Sequence, residues 1–206
     1  NGYPIGYFFG YKAIGVFQTQ EEIDSYISPA TGKPIQPNAA PGDTKFEDLN
    51  GDGVISDDNE DRTMIGKPNP DWMVGLTVAA DWNGFDLSAF FQGSFGADVF
   101  DALRRYELAA VNYTSDALER WTGPGTSNSM PRIVLGDTPK NFRPSTLLVH
   151  DASFLRLRNL QVGYTLPAQL TRKAYIQRLR FYASFDNLLT ITGYKGMDPE
   201  IGSTMG

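Results

Sequence analysis

Residues 72–95 constrain the fold more than any other stretch, because they read as one β-hairpin with an apolar face bounded by tryptophan at both ends. Along the first arm the even positions are Trp72, Val74, Leu76, Val78, Ala80 and Trp82. The odd positions are Met73, Gly75, Thr77, Ala79 and Asp81, small or polar apart from Met73. A strand sends successive side chains to opposite faces, so one face of this arm is wholly apolar. Asn83-Gly84 follows, the dipeptide best suited to the positive φ angles of a tight type I′ turn. The return arm alternates too, with Phe85, Leu87, Ala89 and Phe91 against Asp86, Ser88 and Gln92. Trp72 and Trp82 are separated by roughly 33 Å along a strand, or about 25 Å of height at a tilt near 40°. That height matches the apolar band of an outer-membrane barrel, with an aromatic residue at each water interface. A soluble sandwich hairpin with one buried face alternates in the same way, and the hairpin alone leaves both open.

A chain of 206 residues holds one large β domain or two small ones. Its 18 basic and 24 acidic residues give a net charge of −6, which argues against nucleic acid and against an anionic-lipid surface patch. Cysteine is absent, which excludes disulfides, thiolate metal sites and cysteine nucleophiles. No run approaches the ~18 consecutive apolar residues of a membrane helix, so any insertion must be by strands. The chain opens at Asn1 with neither methionine nor a signal-peptide pattern, and reads as a mature or cut piece of something longer.

Residues 3–17 form an aromatic, glycine-punctuated run that reads as a strand with bulges. Residues 18–70 are polar and turn-rich, with a short helix expected at 20–26. After the hairpin comes a second excursion, 97–150, where Val99, Leu103, Tyr106 and Ala110 recur at helical spacing and predict a helix near 98–111. In 153–166, Leu155 and Leu157 share one phase and Leu160, Val162, Tyr164 and Leu166 the other. That slip predicts a bulge near Arg158-Asn159. Pro167 stops the strand, 168–177 reads as a turn with helical character, and 178–191 alternates again. The five strands are thus joined by long, two-residue, long and medium connections, the alternation of outer-membrane barrels. Two excursions of ~50 residues count against a compact soluble domain. Five strands cannot close a barrel with a lumen. The expected fold is all-β: an antiparallel transmembrane β-barrel segment of about five strands, with extracellular loops at about 18–70 and 97–150 that contain short helices.

Asp48-Leu49-Asn50-Gly51-Asp52-Gly53-Val54-Ile55-Ser56 is the strongest local motif. Oxygen side chains at loop positions 1, 3 and 5 and glycine at 6 are what calcium asks of a twelve-residue loop. Asp48, Asn50 and Asp52 would supply the side-chain ligands and Val54 its backbone carbonyl. Position 12 is Asn59, with Glu60 and Asp61 directly after it, so a slightly longer loop brings Asp61 or Glu60 to the ion. No helix is expected on the entering side, where Pro41-Gly42 lies. A solvated cluster of Asx turns without metal is the plainer alternative. His150 is the only histidine and no nucleophile elbow or separate carboxylate pair is present, so the chain is not read as an enzyme. Arg178 and Arg180 suit a polar lumen better than lipid, and Tyr106, Tyr113 and Trp121 are read as packing residues before sugar-stacking ones.

Several phrases together resemble the SusC/RagA family of TonB-linked outer-membrane transporters. They include Gly2-Tyr3-Pro4-Ile5-Gly6, Gly15-Val16-Phe17, Pro41-Gly42-Asp43 leading into the acidic loop, Asp61-Arg62-Thr63-Met64-Ile65-Gly66 and Pro68-Asn69-Pro70. Later ones are Asp151 through Asn159, Gly163-Tyr164-Thr165-Leu166-Pro167, and Tyr194-Lys195-Gly196-Met197-Asp198-Pro199-Glu200. They run in order over nearly the whole chain. The resemblance implies that residues 1–206 are part of a barrel of about 22 strands, its plug domain and final strands lying outside this sequence. It implies uptake of oligosaccharides or peptides with a SusD-like surface lipoprotein, powered by TonB through the plug. The acid before the Arg-Thr pair, Asp61, comes two residues after Asn59 at position 12, a departure from the family's commoner spacing, where that acid closes the calcium loop. The other reading kept open is a secreted soluble β-sandwich binding module with a dockerin-like calcium loop.

Overall fold

The computed structural model describes residues 2–58, 60–102, 106, 108 and 112–201. Two compact units emerge: residues 1–68 with 99–150, and residues 69–98 with 151–206.

The first unit is made from the two long excursions. It contains β1 (Phe8–Tyr11), β2 (Ala13–Val16), α1 (Gln20–Ser25), β3 (Thr44–Phe46) and β4 (Arg62–Gly66). β1 pairs antiparallel with β4, and β2 with β3. The aromatic run 3–17 is therefore two short strands in separate sheets, not one wall strand. Gly10 makes the break possible: a Cβ there would press on the Pro144 carbonyl, which instead accepts the Tyr11 N–H at 2.9 Å. Thr19 caps α1 by accepting the Glu22 N–H (3.3 Å), and the Glu22 carboxylate accepts the Gln18 N–H (2.8 Å), so two otherwise orphaned donors are satisfied. Ile23 points inward and joins a core of Tyr11, Val16, Phe17, Ile35, Phe46, Tyr106, Ala117 and Leu148.

The second unit begins with β5 (Trp72–Trp82) and β6 (Phe85–Phe95). Where the chain leaves and returns, β7 (Asp98–Phe100) pairs with β8 (Val149–Asp151). Residues 98–100 are thus strand, where side-chain spacing predicts helix. The Asp101 N–H reaches the Leu148 carbonyl at 2.8 Å and the Phe100 ring lies 5.8 Å from Phe8, so cross-chain pairing overrides local periodicity. Residues 103–105, 107 and 109–111 of that expected helix lie outside the described residues. β9 (Phe154–Thr165), the short α2 (Ala168–Thr171) and β10 (Arg180–Thr192) complete the unit. Four strands form one antiparallel sheet in the order β10-β9-β6-β5, one fewer than the five expected in the wall.

The bulge predicted at Arg158 is present, and a second accompanies it. Between the rows of Ala89 and Phe91, β6 advances directly, β9 carries Arg158 as an extra residue, and β10 carries Asn187 and Leu188 between Asp186 and Leu189. One extra residue flips the face of every following side chain, and two restore it. Hence the apolar phase slips in β9, from Leu160 to Leu157, but holds in β10, from Phe185 to Leu189. Asn187 takes the positive φ this needs (53°), a conformation asparagine tolerates better than most residues.

Candidate functional site

The register of the four-stranded sheet sorts its side chains into rows. On one face the rows are Val74-Gly93-Leu155-Ile191, Leu76-Phe91-Leu157-Leu189, Val78-Ala89-Leu160-Phe185 and Ala80-Leu87-Val162-Ala183. None contains a polar side chain. The row at the hairpin-turn end is Trp82-Phe85-Tyr164-Phe181, aromatic on all four strands, with the Phe85 and Tyr164 rings 4.5 Å apart. At the opposite end Trp72 faces Phe95. All eleven residues of β5 are exposed, and Trp72 and Trp82 are 72% and 73% accessible.

The other face is polar and internally bonded. Arg180 on β10 reaches over Gly163 on β9 to the Asp86 carboxylate on β6, donating from Nε at 2.9 Å. Any side chain at position 163 would collide with that pair. Asn159 donates to Ser184 (3.0 Å) and Asp186 (2.8 Å). Buried Arg156 donates to Thr190 (2.9 Å) and Asp198 (2.8 Å), while Arg158, freed from the ladder by its bulge, donates to Gln92 (2.7 Å) and Glu200. The Glu200 N–H and the Arg156 guanidinium hold the Asp198 carboxyl below its usual range. Arg180 thus stands on the polar face as expected. Arg178 precedes β10 and borders a hollow of about 620 Å³ with Asp81, Asp86 and Arg180.

In the loop unit, the acidic loop runs between β3 and β4, with no helix entering it. The Asp48 carboxylate accepts the Gly51 (2.8 Å) and Gly53 (2.9 Å) N–H groups, Asn50 accepts from Asp52 (3.0 Å), and Asp52 accepts from Val54 (2.8 Å). Asp61 is fully buried and closes the loop, accepting from the Leu49 (3.2 Å) and Ser56 (2.9 Å) N–H groups. Glu60 accepts from the Asn50 side chain at 3.0 Å. Asn59 lies outside the described residues. Among the described residues no group of three or more acidic or histidine side chains converges as around a bound ion. By chemistry alone the groups suit a hard cation: Asp48, Asn50, Asp52, the Val54 carbonyl and Asp61 each offer oxygen on one short loop.

Contacts that no spacing reveals anchor this loop. The Tyr11 hydroxyl donates to the Ser56 carbonyl at 2.6 Å, and the Arg62 and Arg143 guanidinium groups lie 5.0 and 4.6 Å from its ring. Lys140 pairs with Asp57 and holds its carboxyl below the usual range. Deeper in the unit, buried Asp43 accepts from Arg132 Nε (2.6 Å), Asn141 (3.0 Å) and the Ala40 N–H (2.8 Å). The aromatic residues of the second excursion pack: Tyr106 is buried against Phe142 and Tyr113, and Trp121 covers Gly42 while donating to Gln18 at 3.1 Å. His150 sits in β8.

No protein-family model matches the chain. It is 35% identical over 200 residues to TonB-dependent receptor P3 of Formosa agariphila, an alignment covering 97% of the chain and 19% of that receptor. It is 29% identical over 196 residues to TonB-dependent receptor SusC of Bacteroides thetaiotaomicron, covering 94% of the chain and 18% of SusC. The solved structure of the RagAB peptide transporter superposes with a TM-score of 0.68 at 26% identity, covering 97% of the chain and 20% of that chain. The chain spans about one fifth of the length of these relatives, which are named receptors and a transporter. The chain matches a fragment of the SusC/RagA family of TonB-dependent receptors.

Proposed function

We propose that these residues supply part of the wall and the extracellular loops of a TonB-dependent outer-membrane nutrient importer. The banded face carries the reading: four apolar rows lie between an aromatic row and the Trp72–Phe95 pair. An apolar face with aromatic borders is what a lipid bilayer selects in a barrel strand. Among the described residues both edge strands of the sheet, β5 and β10, are long and pair on one side, which is a liability in water and is resolved by further strands in a larger barrel of about 22. A soluble sandwich would need an opposing sheet over this face, whereas β5 is exposed along its whole length. Both long excursions leave from the Trp72 end, so Trp72 lies at the extracellular interface and Trp82 at the periplasmic one. The likeness to SusC and to the RagAB peptide transporter supports cargo of oligosaccharide or peptide, a SusD-like lipoprotein at the mouth, and energy delivered by TonB through a plug domain.

Calcium in the acidic loop belongs to the same reading. Asp48, Asn50, Asp52, the Val54 carbonyl and Asp61 would hold it, and the ion would cross-link a long loop and reduce its conformational freedom. The buried Asp61, already closing the loop, is the acid that completes the set rather than Glu60.

A charge placed on each face tests the wall. Leu76→Arg puts a cation at mid-height on the apolar face and costs assembled barrel about 2–4 kcal/mol. Thr77→Arg, one residue along on the polar face, leaves folding in lipid vesicles close to wild type. Equal tolerance of both substitutions in a urea titration sinks the reading.

A further inference from the structure

The connection between β9 and β10 hangs beyond the aromatic row, at the end where the Thr165 N–H donates to the Gly84 carbonyl (2.7 Å) and the Leu166 N–H to the Leu179 carbonyl (2.9 Å). Within 166–179 the sequence holds Arg172, Lys173 and Arg178 and no acid, in a chain of net charge −6. All three cations are exposed, and none is in an ion pair among the described residues, whereas neighbouring Arg180 is committed to Asp86. Apolar side chains accompany them: Leu170 is 56% exposed, Ile176 39% and Tyr175 98%. Tyr175 also adopts a positive φ of 58°, where the single 3₁₀ turn Arg172–Ala174 ends.

We infer that the 166–179 connection is a contact for anionic phospholipid headgroups of the periplasmic leaflet, an inference that rests on the wall reading above. The aromatic row fixes the level of the membrane boundary, and this connection continues from it toward water. At that level Leu170, Tyr175 and Ile176 enter the apolar margin of the headgroup layer. The flexible stems of Arg172, Lys173 and Arg178 carry their charges to the phosphates. The negative total charge does not oppose this, because charges beyond a Debye length of about 8 Å are screened at physiological salt. An average over 206 residues argues against an anionic-lipid patch, whereas at this end of the sheet Arg172, Lys173, Arg178 and Arg180 outnumber Asp81 and Asp86.

The test uses the whole receptor carrying these residues, reconstituted in bilayers of phosphatidylethanolamine with a minor fraction of phosphatidylglycerol. Retained lipid is measured by mass spectrometry after gel filtration. Each basic side chain near an anionic surface contributes about fivefold in partitioning, so Arg172→Gln/Lys173→Gln/Arg178→Gln lowers phosphatidylglycerol enrichment by about fivefold or more. Quenching by brominated acyl chains, and its loss on Trp82→Phe, reports independently on the wall. Quenching at Trp82 with unchanged enrichment in the triple variant overturns the headgroup contact and leaves the wall standing. No quenching at Trp82 overturns the wall reading and the contact with it. Enrichment that survives the triple variant but is lost on deleting the plug domain assigns the lipid to another surface and refutes the inference.

Discussion

Among the described residues, proline aside, the loop unit buries nine hydrophobic side chains, from Tyr11 to Leu148, whereas the four-stranded sheet's unit buries three, Ala89, Ala152 and Phe154. The polar groups run the other way. In the loop unit the deepest carboxylates, Asp43 and Asp61, are bonded inside the core. In the sheet the ion pairs Arg180–Asp86 and Arg158–Glu200 are part-exposed, and Arg156 beside Glu200 is the buried member of that network. The difference teaches that the two regions are built for different surroundings. One excludes water from an apolar centre held by buried hydrogen bonds, and the other carries its apolar rows on an exposed face, the surface that the proposed wall would turn to lipid.

The largest test strikes the loop unit's polar centre. Asp43→Ala removes the acceptor of Arg132, Asn141 and the Ala40 N–H, and leaving the inner donors unsatisfied costs about 3 kcal/mol or more. Hydrogen exchange should accelerate around residues 42–44, 132 and 141 while β5 and β6 keep their protection. Equal loss in both regions would break the comparison. Calcium removal comes next. With free calcium held about a hundredfold above its Kd, chelation withdraws about 2.7 kcal/mol from whatever the ion binds. That loss should appear in the loop unit's melting and vanish in Asp48→Ala/Asp52→Ala, and calorimetric binding unaltered by the double substitution refutes the site.

A smaller effect belongs to the sheet. Gly84 holds a φ of +86°, and a Cβ there would lie 2.7 Å from the Thr165 carbonyl. Gly84→Ala should therefore cost about 1–2 kcal/mol, read as a shift in the urea midpoint of the assembled barrel. The smallest is a pH effect on α1. Burial alone raises the Glu22 pKa, but the Gln18 N–H and the Lys45 ammonium outweigh it and hold the carboxyl below its ordinary value. A depressed pKa contributes stability that is complete above the ordinary glutamate value and fades as pH falls through the folded one. Acid should loosen the N-terminus of α1 by less than about 1 kcal/mol, and Glu22→Gln should remove that dependence. A profile that Glu22→Gln leaves unchanged assigns the titration elsewhere.

Legibility divides along the same line. The hairpin was readable to the residue, since Trp72–Trp82 and Phe85–Phe95 match the alternation and the Asn83-Gly84 turn. The phase slip in β9 located Arg158, yet the matching bulge at Asn187–Leu188 left no trace, because two extra residues preserve the phase. The tight turns of the acidic loop were readable from its Asp-x-Asn-Gly-Asp-Gly spacing, but its anchors, Tyr11 to Ser56 and Lys140 to Asp57, were not. The aromatic run 3–17 and the helical spacing from Val99 misled for one reason: both segments take their partners from distant chain.

By itself the sequence determined the two-faced hairpin, its turn and the oxygen-rich loop, because side-chain alternation, positive φ and the bonding of Asp and Asn to nearby backbone act over a few residues. The tertiary structure alone decided which polar groups meet, as when the Thr44 N–H finds Asn141 Oδ1 at 2.8 Å across 97 positions. A hydrogen bond between a side chain and a distant backbone is short-ranged and generic, so nothing in either segment names its partner until packing brings the two together.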